Sequence, residues 1–167
     1  MGPNGPRHAS TSPAKVSSMV IPVRSGVEPS VKGPMHPLFS KADKLSHAVI
    51  GAAFEVHRLQ GPGLIESIYE KCLTQELRLR NIAAATQRVV QIEYKGFVFE
   101  EPLRFDVLVE ECLLLELKCV EQILPIHKAQ ILSYMKLLDV PLGLVINFHE
   151  LRLVNGVSRM MLPGANQ

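Results

Sequence analysis

The stretch RFDVLVEECLLLELK, which runs from Arg104 to Lys118, is the most apolar part of the chain. Its two valine- and leucine-rich halves are separated by a short acidic segment at Glu110 and Glu111. Runs of branched apolar residues on either side of a turn are typical of paired β-strands. The stretch therefore predicts a buried strand pair at the centre of the fold.

Three charged residues interrupt this apolar stretch: Asp106, Glu116 and Lys118. Glu116 and Lys118 are two residues apart, so on a strand their side chains project from the same face. If the hairpin is centred on Glu111, Asp106 lies directly opposite Glu116, with Cβ atoms about 4.5–5.5 Å apart. A turn one residue longer or shorter would shift this pairing, so the register is a hypothesis.

The close pair of carboxylates indicates a cation site. Two carboxylates at this separation repel each other and do not both ionise readily. A divalent cation between Asp106 and Glu116 would relieve the repulsion, and Mg²⁺ prefers one or two carboxylates together with water and phosphate oxygens. Lys118 beside such an ion would hydrogen-bond an attacking water or stabilise charge on a phosphoryl group.

A structural explanation competes with this one. An E-x-K pair on a strand is commonly a solvated ion pair worth well under about 1 kcal/mol, and taken alone the motif is better explained in that way. The apolar context favours a functional site, because isolated charges are costly to bury. Four leucines surround the charges: Leu113, Leu114, Leu115 and Leu117.

Helical and strand patterns extend outward from this hairpin. Helices are predicted over residues 41–58, 64–81 and 127–138, and the QGPG segment at residues 60–63 separates the first two. Strands are predicted over residues 88–94, 97–101, 103–109, 112–120 and 142–148, followed by a hairpin of residues 150–154 and 157–162 that turns at Asn155-Gly156. This order predicts one α/β domain with a mixed central β-sheet flanked by helices.

The first 40 residues differ in composition from the rest, since they hold seven of the twelve prolines and show no helical or strand period. They are predicted to be a disordered extension, ahead of a domain at residues 41–163 and a tail at 164–167. A basic, serine-rich segment could also be an organelle transit peptide, but a clear amphipathic helix is missing. An extension upstream of a true start at Met19 or Met35 is the preferred interpretation.

Charge and cysteine content narrow the class of protein. The net charge of +2 comes from the first 40 residues, because the other 127 hold 14 basic and 15 acidic residues. A near-neutral domain argues against a pure nucleic-acid-binding module, but less against a nuclease whose metal ions supply positive charge.

The three cysteines form no CxxC pair and are predicted to be reduced packing residues of a cytoplasmic protein. No apolar run approaches the roughly 20 residues of a membrane span.

Two further motifs carry polar residues on helices. Glu66 lies on the first turn of the second helix, three residues after Gly63 and three before Tyr69, where an acidic residue is ordinary. Gln130 and Tyr134 lie at i and i+4 on the third helix, so they share one face. An amphipathic helix edge would also explain the second pair.

Taken in order, these motifs resemble those of a known family. G-x-x-E-x-x-Y at residues 63–69, D-x9-E-x-K at 106–118 and Q-x-x-x-Y at 130–134 resemble the GxxExxY family, a prokaryotic branch of the PD-(D/E)XK nuclease superfamily. The phrases YKG, LPIHKAQILSYMKL and GLVINF are similar to it as well, so the resemblance covers about residues 42–162. E-x-K alone is weakly specific, whereas the ordered set is strongly specific. One departure is Phe105, where the family has a small residue before Asp106.

The resemblance implies a restriction-endonuclease-like core with a metal-dependent active site. Asp106 and Glu116 would be metal ligands, with the backbone carbonyl of Leu117 as a third ligand. Glu66 would complete the acidic cluster as a further catalytic residue and ligand. Lys118 would orient or activate the attacking water. The implied cofactor is Mg²⁺, with Mn²⁺ as the alternative ion.

The resemblance also implies residues that support the site or contact substrate. Gln130 and Tyr134 would do so from the third helix, and Tyr69 from the second. His127 and Lys136 are weaker candidates, because His127 could cap or pack the start of its helix and Lys136 could be a solvated surface lysine.

Two functions from different classes fit these residues. The first is a Mg²⁺-dependent nuclease that hydrolyses phosphodiester bonds, with DNA favoured over RNA as substrate. The alternative is a catalytically weak or inactive nucleic-acid-binding or regulatory module on the same fold, since the domain is small and slightly acidic. A homodimer is expected by analogy, because cutting both strands of a duplex takes two sites or two visits. A purely structural protein fits least well.

Overall fold

The computed structural model describes residues 34–166, so most of the predicted N-terminal extension lies outside the described residues. The helices are α1 (Phe39–Gln60), α2 (Glu66–Leu79), α3 (Pro125–Leu138) and α4 (Leu153–Gly156). The strands are β1 (Ala84–Tyr94), β2 (Phe97–Val109), β3 (Leu113–Lys118), β4 (Leu142–Asn147) and β5 (Val157–Met161). The three long helices confirm the sequence prediction, with shifted ends. Within this part of the chain, no helix is long and apolar enough to cross a membrane.

The five strands form one mixed sheet in the order β1-β2-β3-β4-β5. β3 and β4 pair in parallel, and the other neighbours pair antiparallel. α3 provides the crossover between the parallel strands, as a parallel pair requires. The predicted single α/β domain with a mixed, helix-flanked sheet is therefore confirmed, and the arrangement is restriction-endonuclease-like.

The register of the central hairpin is the one that the sequence predicts. Val107 pairs with Leu115, Leu108 with Leu114 and Val109 with Leu113, so the hairpin is centred on Glu111. Glu110 and Glu111 both have positive φ, of 48° and 59°, which is the twist that a tight hairpin turn needs. The regular pairing stops one step before Asp106 and Glu116.

The central strands β3 and β4 are buried on both faces. α1 and α2 cover one face, over the side chains of Val107, Leu115 and Leu144, while α3 covers the other, over Leu114 and Val145. Cys112 is fully buried, and the cysteines of the described chain are all free thiols. β3 and β4 have apolar residues on both faces because both faces are covered. A charge on β3 therefore lies inside the protein unless it is at the strand's end.

Two strand predictions are wrong. Residues 97–101 and 103–109 form the single strand β2. β3 pairs only with residues 107–109 of β2, so the β3 side of the strand is open at Pro102 and a proline is tolerated there. The predicted hairpin around Asn155-Gly156 does not form, because residues 153–156 are the short helix α4. Leu153 is buried, so this segment packs over the end of β4 instead of pairing.

Gly156 allows that packing, and its replacement is expected to destabilise the fold. A Cβ atom at this position would collide with the backbone carbonyl oxygen of Asn147, which cannot move without distorting β4. Gly156→Ala is therefore expected to lower the free energy of unfolding by about 1–3 kcal/mol, measured by urea denaturation. Gly51→Ala in α1 is the control, because a Cβ there meets only the end of the flexible Arg80 side chain, at 3.4 Å. It is expected to be neutral or stabilising, and equal losses in both variants would contradict the collision.

Candidate active site

Four of the predicted site residues converge at one end of the central hairpin. Glu116 and Lys118 lie at the carboxyl end of β3, Asp106 lies on β2 just beyond its last regular pair, and Glu66 is the first residue of α2. The α2 helix packs against β2 and β3, which brings Glu66 from a distant part of the chain to the same end of the sheet.

The ammonium group of Lys118 is the centre of this arrangement. Its Nζ donates to Glu116 Oε1 at 2.7 Å and to the carbonyl oxygen of Leu117 at 3.0 Å, and it lies 3.9 Å from Glu66 Oε1. Glu116 is 2% exposed, so this pair is held away from solvent. Three of the oxygen atoms that were predicted to bind a metal thus surround a single cation of the chain itself.

Asp106 lies in the site and also makes a hydrogen bond that supports the fold. Its Oδ2 accepts a hydrogen bond of 2.6 Å from the backbone N–H of Leu117. The side chain thereby takes the place of a ladder bond where the β2–β3 pairing ends. This bond fixes Asp106 beside the segment that carries Glu116 and Lys118.

The carboxyl groups of the site all have raised pKa values. Burial raises the pKa of Asp106, partly offset by the Leu117 N–H and by Lys118. Burial also raises the pKa of Glu116, against the hydrogen bond from Lys118, and the charges of Asp106 and Glu66 add to the rise. Glu66 follows the same pattern, with Lys118 opposing burial. Burial is thus the largest cause of the rise at each of the three carboxyl groups, and Lys118 opposes it at each of them.

The basic and thiol groups of the site complete its charge state. Burial lowers the pKa of Lys118, but the hydrogen bond that it donates to Glu116 and the charges of the neighbouring carboxylates outweigh burial and raise that pKa. Lys118 is therefore charged at neutral pH. Burial and the charge of Glu66 raise the pKa of Cys119 to about 11. This thiol is protonated at neutral pH and is unsuited to act as a nucleophile.

The donor set fits a hard divalent cation. Within residues 34–166, no three His, Cys, Asp or Glu side chains are close enough to form a ready-made metal cluster. The oxygens around Lys118 Nζ nevertheless show that this position attracts positive charge. Carboxylate and carbonyl oxygens are the ligands that Mg²⁺ and Mn²⁺ prefer. A metal would take oxygens that Lys118 contacts now, so Lys118 would have to change partners.

Tyr69 holds the loop that leads into α2. Its ring stacks on Phe148, with centroids 4.4 Å apart, and is fully buried. Its hydroxyl donates to the carbonyl oxygen of Gly61 at 2.6 Å and accepts from the N–H of Leu64 at 3.1 Å. Tyr69 therefore fixes the start of the helix that carries Glu66, and its contacts are those of a supporting residue.

Tyr69→Phe is expected to lower the free energy of unfolding by about 1–3 kcal/mol, because it removes both hydrogen bonds and leaves two backbone groups without that partner. Chemical denaturation measures the change. Tyr94→Phe is the matched control, since Tyr94 is 65% exposed at the β1 end. An unchanged stability for Tyr69→Phe would show that the loop does not depend on the hydroxyl.

The predicted residues of α3 are placed differently. His127 Nδ1 accepts from the N–H of Leu124 at 3.1 Å, so it caps the start of α3. Gln130 and Lys136 are exposed, whereas Tyr134 is half-buried against the core on the α3 side. None of these three hydrogen-bonds a site residue in the described chain. Their predicted contact with nucleic acid remains a prediction.

A polar cleft of about 410 Å³ beside Asp106 is the part of the site that sequence reasoning missed. It is lined by Glu70, Thr86, Gln87, Arg104, Phe105 and Asp106. Burial raises the pKa of Glu70 and the charge of Asp106 raises it further, and both side chains line the cleft. The spacing could have signalled Glu70, which is four residues after Glu66 on the same face of α2. It could also have signalled Arg104, which is two residues before Asp106.

The comparison with known families agrees with this geometry. Residues 43–160, which are most of the chain, match the sequence model of a family in the PD-(D/E)XK nuclease superfamily. The protein therefore belongs to the PD-(D/E)XK nuclease superfamily. No curated protein and no solved structure matches the chain significantly. Membership of the GxxExxY branch remains a prediction.

Proposed function

We propose that this protein is a Mg²⁺-dependent nuclease that hydrolyses phosphodiester bonds in nucleic acid. The observation that carries the proposal is the convergence of Glu116, the Leu117 carbonyl and Glu66 around one cation position, beside Asp106. A member of a nuclease superfamily with such a cluster has the groups that metal-assisted hydrolysis needs.

The roles of the residues follow from their chemistry. Asp106, Glu116, the Leu117 carbonyl and Glu66 would hold the ion, and a bound divalent ion supplies Lewis-acid polarisation of the phosphoryl group and of the leaving oxygen. Lys118 would hold the attacking water by a hydrogen bond and stabilise charge that develops on the phosphoryl oxygens. The buried leucines of β3 hold these groups in place on a rigid strand.

Several finer features belong to the same proposal. DNA is favoured over RNA, Mn²⁺ is the alternative ion, and Gln130 and Tyr134 would contact the nucleic acid or support the site from α3. A homodimer would allow the two strands of a duplex to be cut together. The superfamily membership supports nucleic acid as the substrate class.

A nuclease assay tests the proposal. Supercoiled plasmid, linear duplex and single-stranded DNA and RNA would be incubated with the wild-type protein and Mg²⁺ or Mn²⁺, with EDTA as the control. Cleavage that depends on metal and is lost in Asp106→Asn and Lys118→Met is expected. Equal cleavage by the wild type and both variants would show that the activity comes from a contaminant or another site.

One observation favours the second function, a nucleic-acid-binding or regulatory module without cleavage. Lys118 already bonds two of the oxygens proposed for the metal, so the ion must compete with an internal ammonium. Titration calorimetry separates the two functions. A protein that binds nucleic acid but no Mg²⁺ at millimolar concentration would be the binding module.

A further inference from the structure

The cleft beside Asp106 is open to solvent and is lined mainly by polar side chains, of which Glu70, Thr86, Gln87 and Arg104 have no side-chain partner within residues 34–166. Arg104 lies on β2 two residues before Asp106, and its side chain is exposed. In the described chain, its guanidinium forms neither an ion pair nor a hydrogen bond. Two residues of a strand span about 6.6 Å, so Arg104 is a short step along β2 from the proposed catalytic centre.

The neighbouring arginine on β1 differs from Arg104. Arg88 lies on the adjacent strand β1 and is paired with Glu111, so its charge is already neutralised by the fold. Arg104 is opposite Gln87 in the β1–β2 pairing, and Gln87 offers it no charge. A guanidinium in the cleft is therefore left for a partner from outside the described chain.

The local geometry of β1 adds donors to the same cleft. The register of the β1–β2 pair shifts between Ala85 and Gln87, so Thr86 is not paired regularly. Bulges of this kind redirect side chains at the edges of sites. Thr86 and Gln87 are exposed and line the cleft, and neither makes a side-chain hydrogen bond within residues 34–166. A hydroxyl, an amide and a guanidinium thus face one space.

The charges of the cleft indicate what it would hold. Glu70 and Asp106 form its acidic side, and Arg104 forms its basic side. The acidic side includes Asp106, which is proposed to bind Mg²⁺, and Arg104 has no partner within residues 34–166, so it can bind an anion. A phosphodiester suits both sides, because its anionic oxygens accept from a planar guanidinium while its neighbouring phosphate lies at the metal-binding carboxylates.

We propose that Arg104, with Thr86 and Gln87, forms a subsite for the backbone phosphate that flanks the scissile phosphate. This inference rests on the proposed nuclease function and deepens it, because it gives the substrate a direction across the protein. The nucleic-acid strand would pass from the Glu116 side of Asp106 along β2 toward Arg104. Arg104 is a substrate-positioning residue in this proposal, and it takes no part in bond breaking.

Fluorescence anisotropy with short labelled DNA oligonucleotides, single-stranded and duplex, tests the subsite. Binding would be measured at several salt concentrations in EDTA, and again with Mg²⁺ on the Lys118→Met background, where cleavage is expected to be absent. Arg104→Gln is expected to raise Kd about tenfold, since it removes one charge-assisted hydrogen-bond donor. The slope of log affinity against log salt should fall by about 0.7–0.9, the value for one phosphate contact.

Two control variants separate the subsite from bulk charge. Arg104→Lys keeps the charge but loses the planar fork, so it should preserve the salt slope and weaken binding less. Arg78→Gln removes the same charge from the far end of α2, about 18 Å along the helix from Glu66. It should stay within about twofold of the wild type, and circular dichroism would show that all variants are folded.

The outcomes distinguish this inference from the function on which it rests. If the wild type binds nucleic acid and Arg104→Gln binds equally, with the same salt slope, the subsite is wrong and the nuclease proposal is untouched. If Arg104→Gln weakens binding as expected but the wild type never cleaves with metal, the subsite stands and the nuclease proposal fails. A wild type that binds no nucleic acid overturns both.

Discussion

Asp106→Asn is expected to reduce metal-dependent hydrolysis by about a hundredfold to a thousandfold, the loss that follows removal of one charged group from a transition-state site. The fold should remain intact. An asparagine Oδ1 can accept the Leu117 N–H that Asp106 Oδ2 accepts now at 2.6 Å, so only the charge is removed. Steady-state cleavage with Mg²⁺ measures the activity, and urea denaturation measures the stability.

The difference in stability between Asp106→Asn and the wild type should depend on pH in a defined direction. Burial raises the folded-state pKa of Asp106, so the folded protein favours the protonated carboxyl group. Wild-type stability from this group is therefore fully present below the ordinary pKa of aspartate and is lost as the pH rises through the raised folded value. Asparagine does not titrate, so in metal-free buffer Asp106→Asn should gain stability relative to the wild type as the pH rises from the ordinary pKa of aspartate through the raised folded-state value.

Asp106→Ala is the informative partner of that variant. It also removes the charge, but it leaves the N–H of Leu117 without its acceptor at a buried position, which costs about 1–3 kcal/mol. Both variants should be inactive, and only the alanine variant should be less stable than the wild type. Equal stabilities for the two would show that the hydrogen bond at the end of the β2–β3 ladder contributes little.

The central hairpin could be predicted because its information is local. An acidic turn between two leucine-rich runs allows few registers, and a shift of one residue would turn the apolar side chains of β2 and β3 to the wrong faces. Because leucines surround Glu116 and Lys118 in the sequence, the two charges could be recognised as exceptional before the fold was known. The structure adds that Lys118 bonds Glu116 directly, which the two-residue spacing permits but does not require.

The failures have tertiary causes. The Asn155-Gly156 dipeptide is a strong local turn signal, but Leu153 is buried over the end of β4 and the segment is helical instead. The cleft around Arg104 depends on the irregular register near Thr86 and on where α2 crosses the sheet. Neither is encoded in a window of a few residues. Glu66 is an intermediate case, because its motif marks it while only helix packing brings it to Lys118.

Lys118→Met is expected to abolish hydrolysis and to destabilise the metal-free protein on the order of 3 kcal/mol at about pH 8. The cost arises because Glu116 is buried and loses the ammonium that donates to it at 2.7 Å, and breaking one side of a buried ion pair leaves an uncompensated charge. Methionine fills the volume of the lysine stem, so packing is largely preserved. Thermal and urea unfolding at several pH values measure the change.

The pH dependence identifies the charge as the cause. Without Lys118, the folded-state pKa of Glu116 should rise beyond its already raised value. The penalty should then be small below the ordinary pKa of glutamate and should grow as the pH rises through the folded value. The double variant Glu116→Gln with Lys118→Met should recover most of the stability at pH 8. A loss that is equal at pH 4 and pH 8 and that persists in the double variant would assign the effect to packing.

The stabilisation by bound metal is a second way to measure the effect of Lys118→Met. In the wild type, a divalent ion must displace the Lys118 ammonium from Glu116 and from the Leu117 carbonyl, whereas in Lys118→Met these oxygens are free. A ligand that binds only the folded state stabilises it by RT ln(1 + [L]/Kd), so tighter binding gives a larger effect at the same concentration. Millimolar Mg²⁺ should therefore raise the melting temperature of Lys118→Met more than that of the wild type. It should not raise the melting temperature of the double variant that combines Asp106→Asn and Glu116→Gln. An equal rise in all of them would place the bound ion elsewhere and contradict the proposed ligand set.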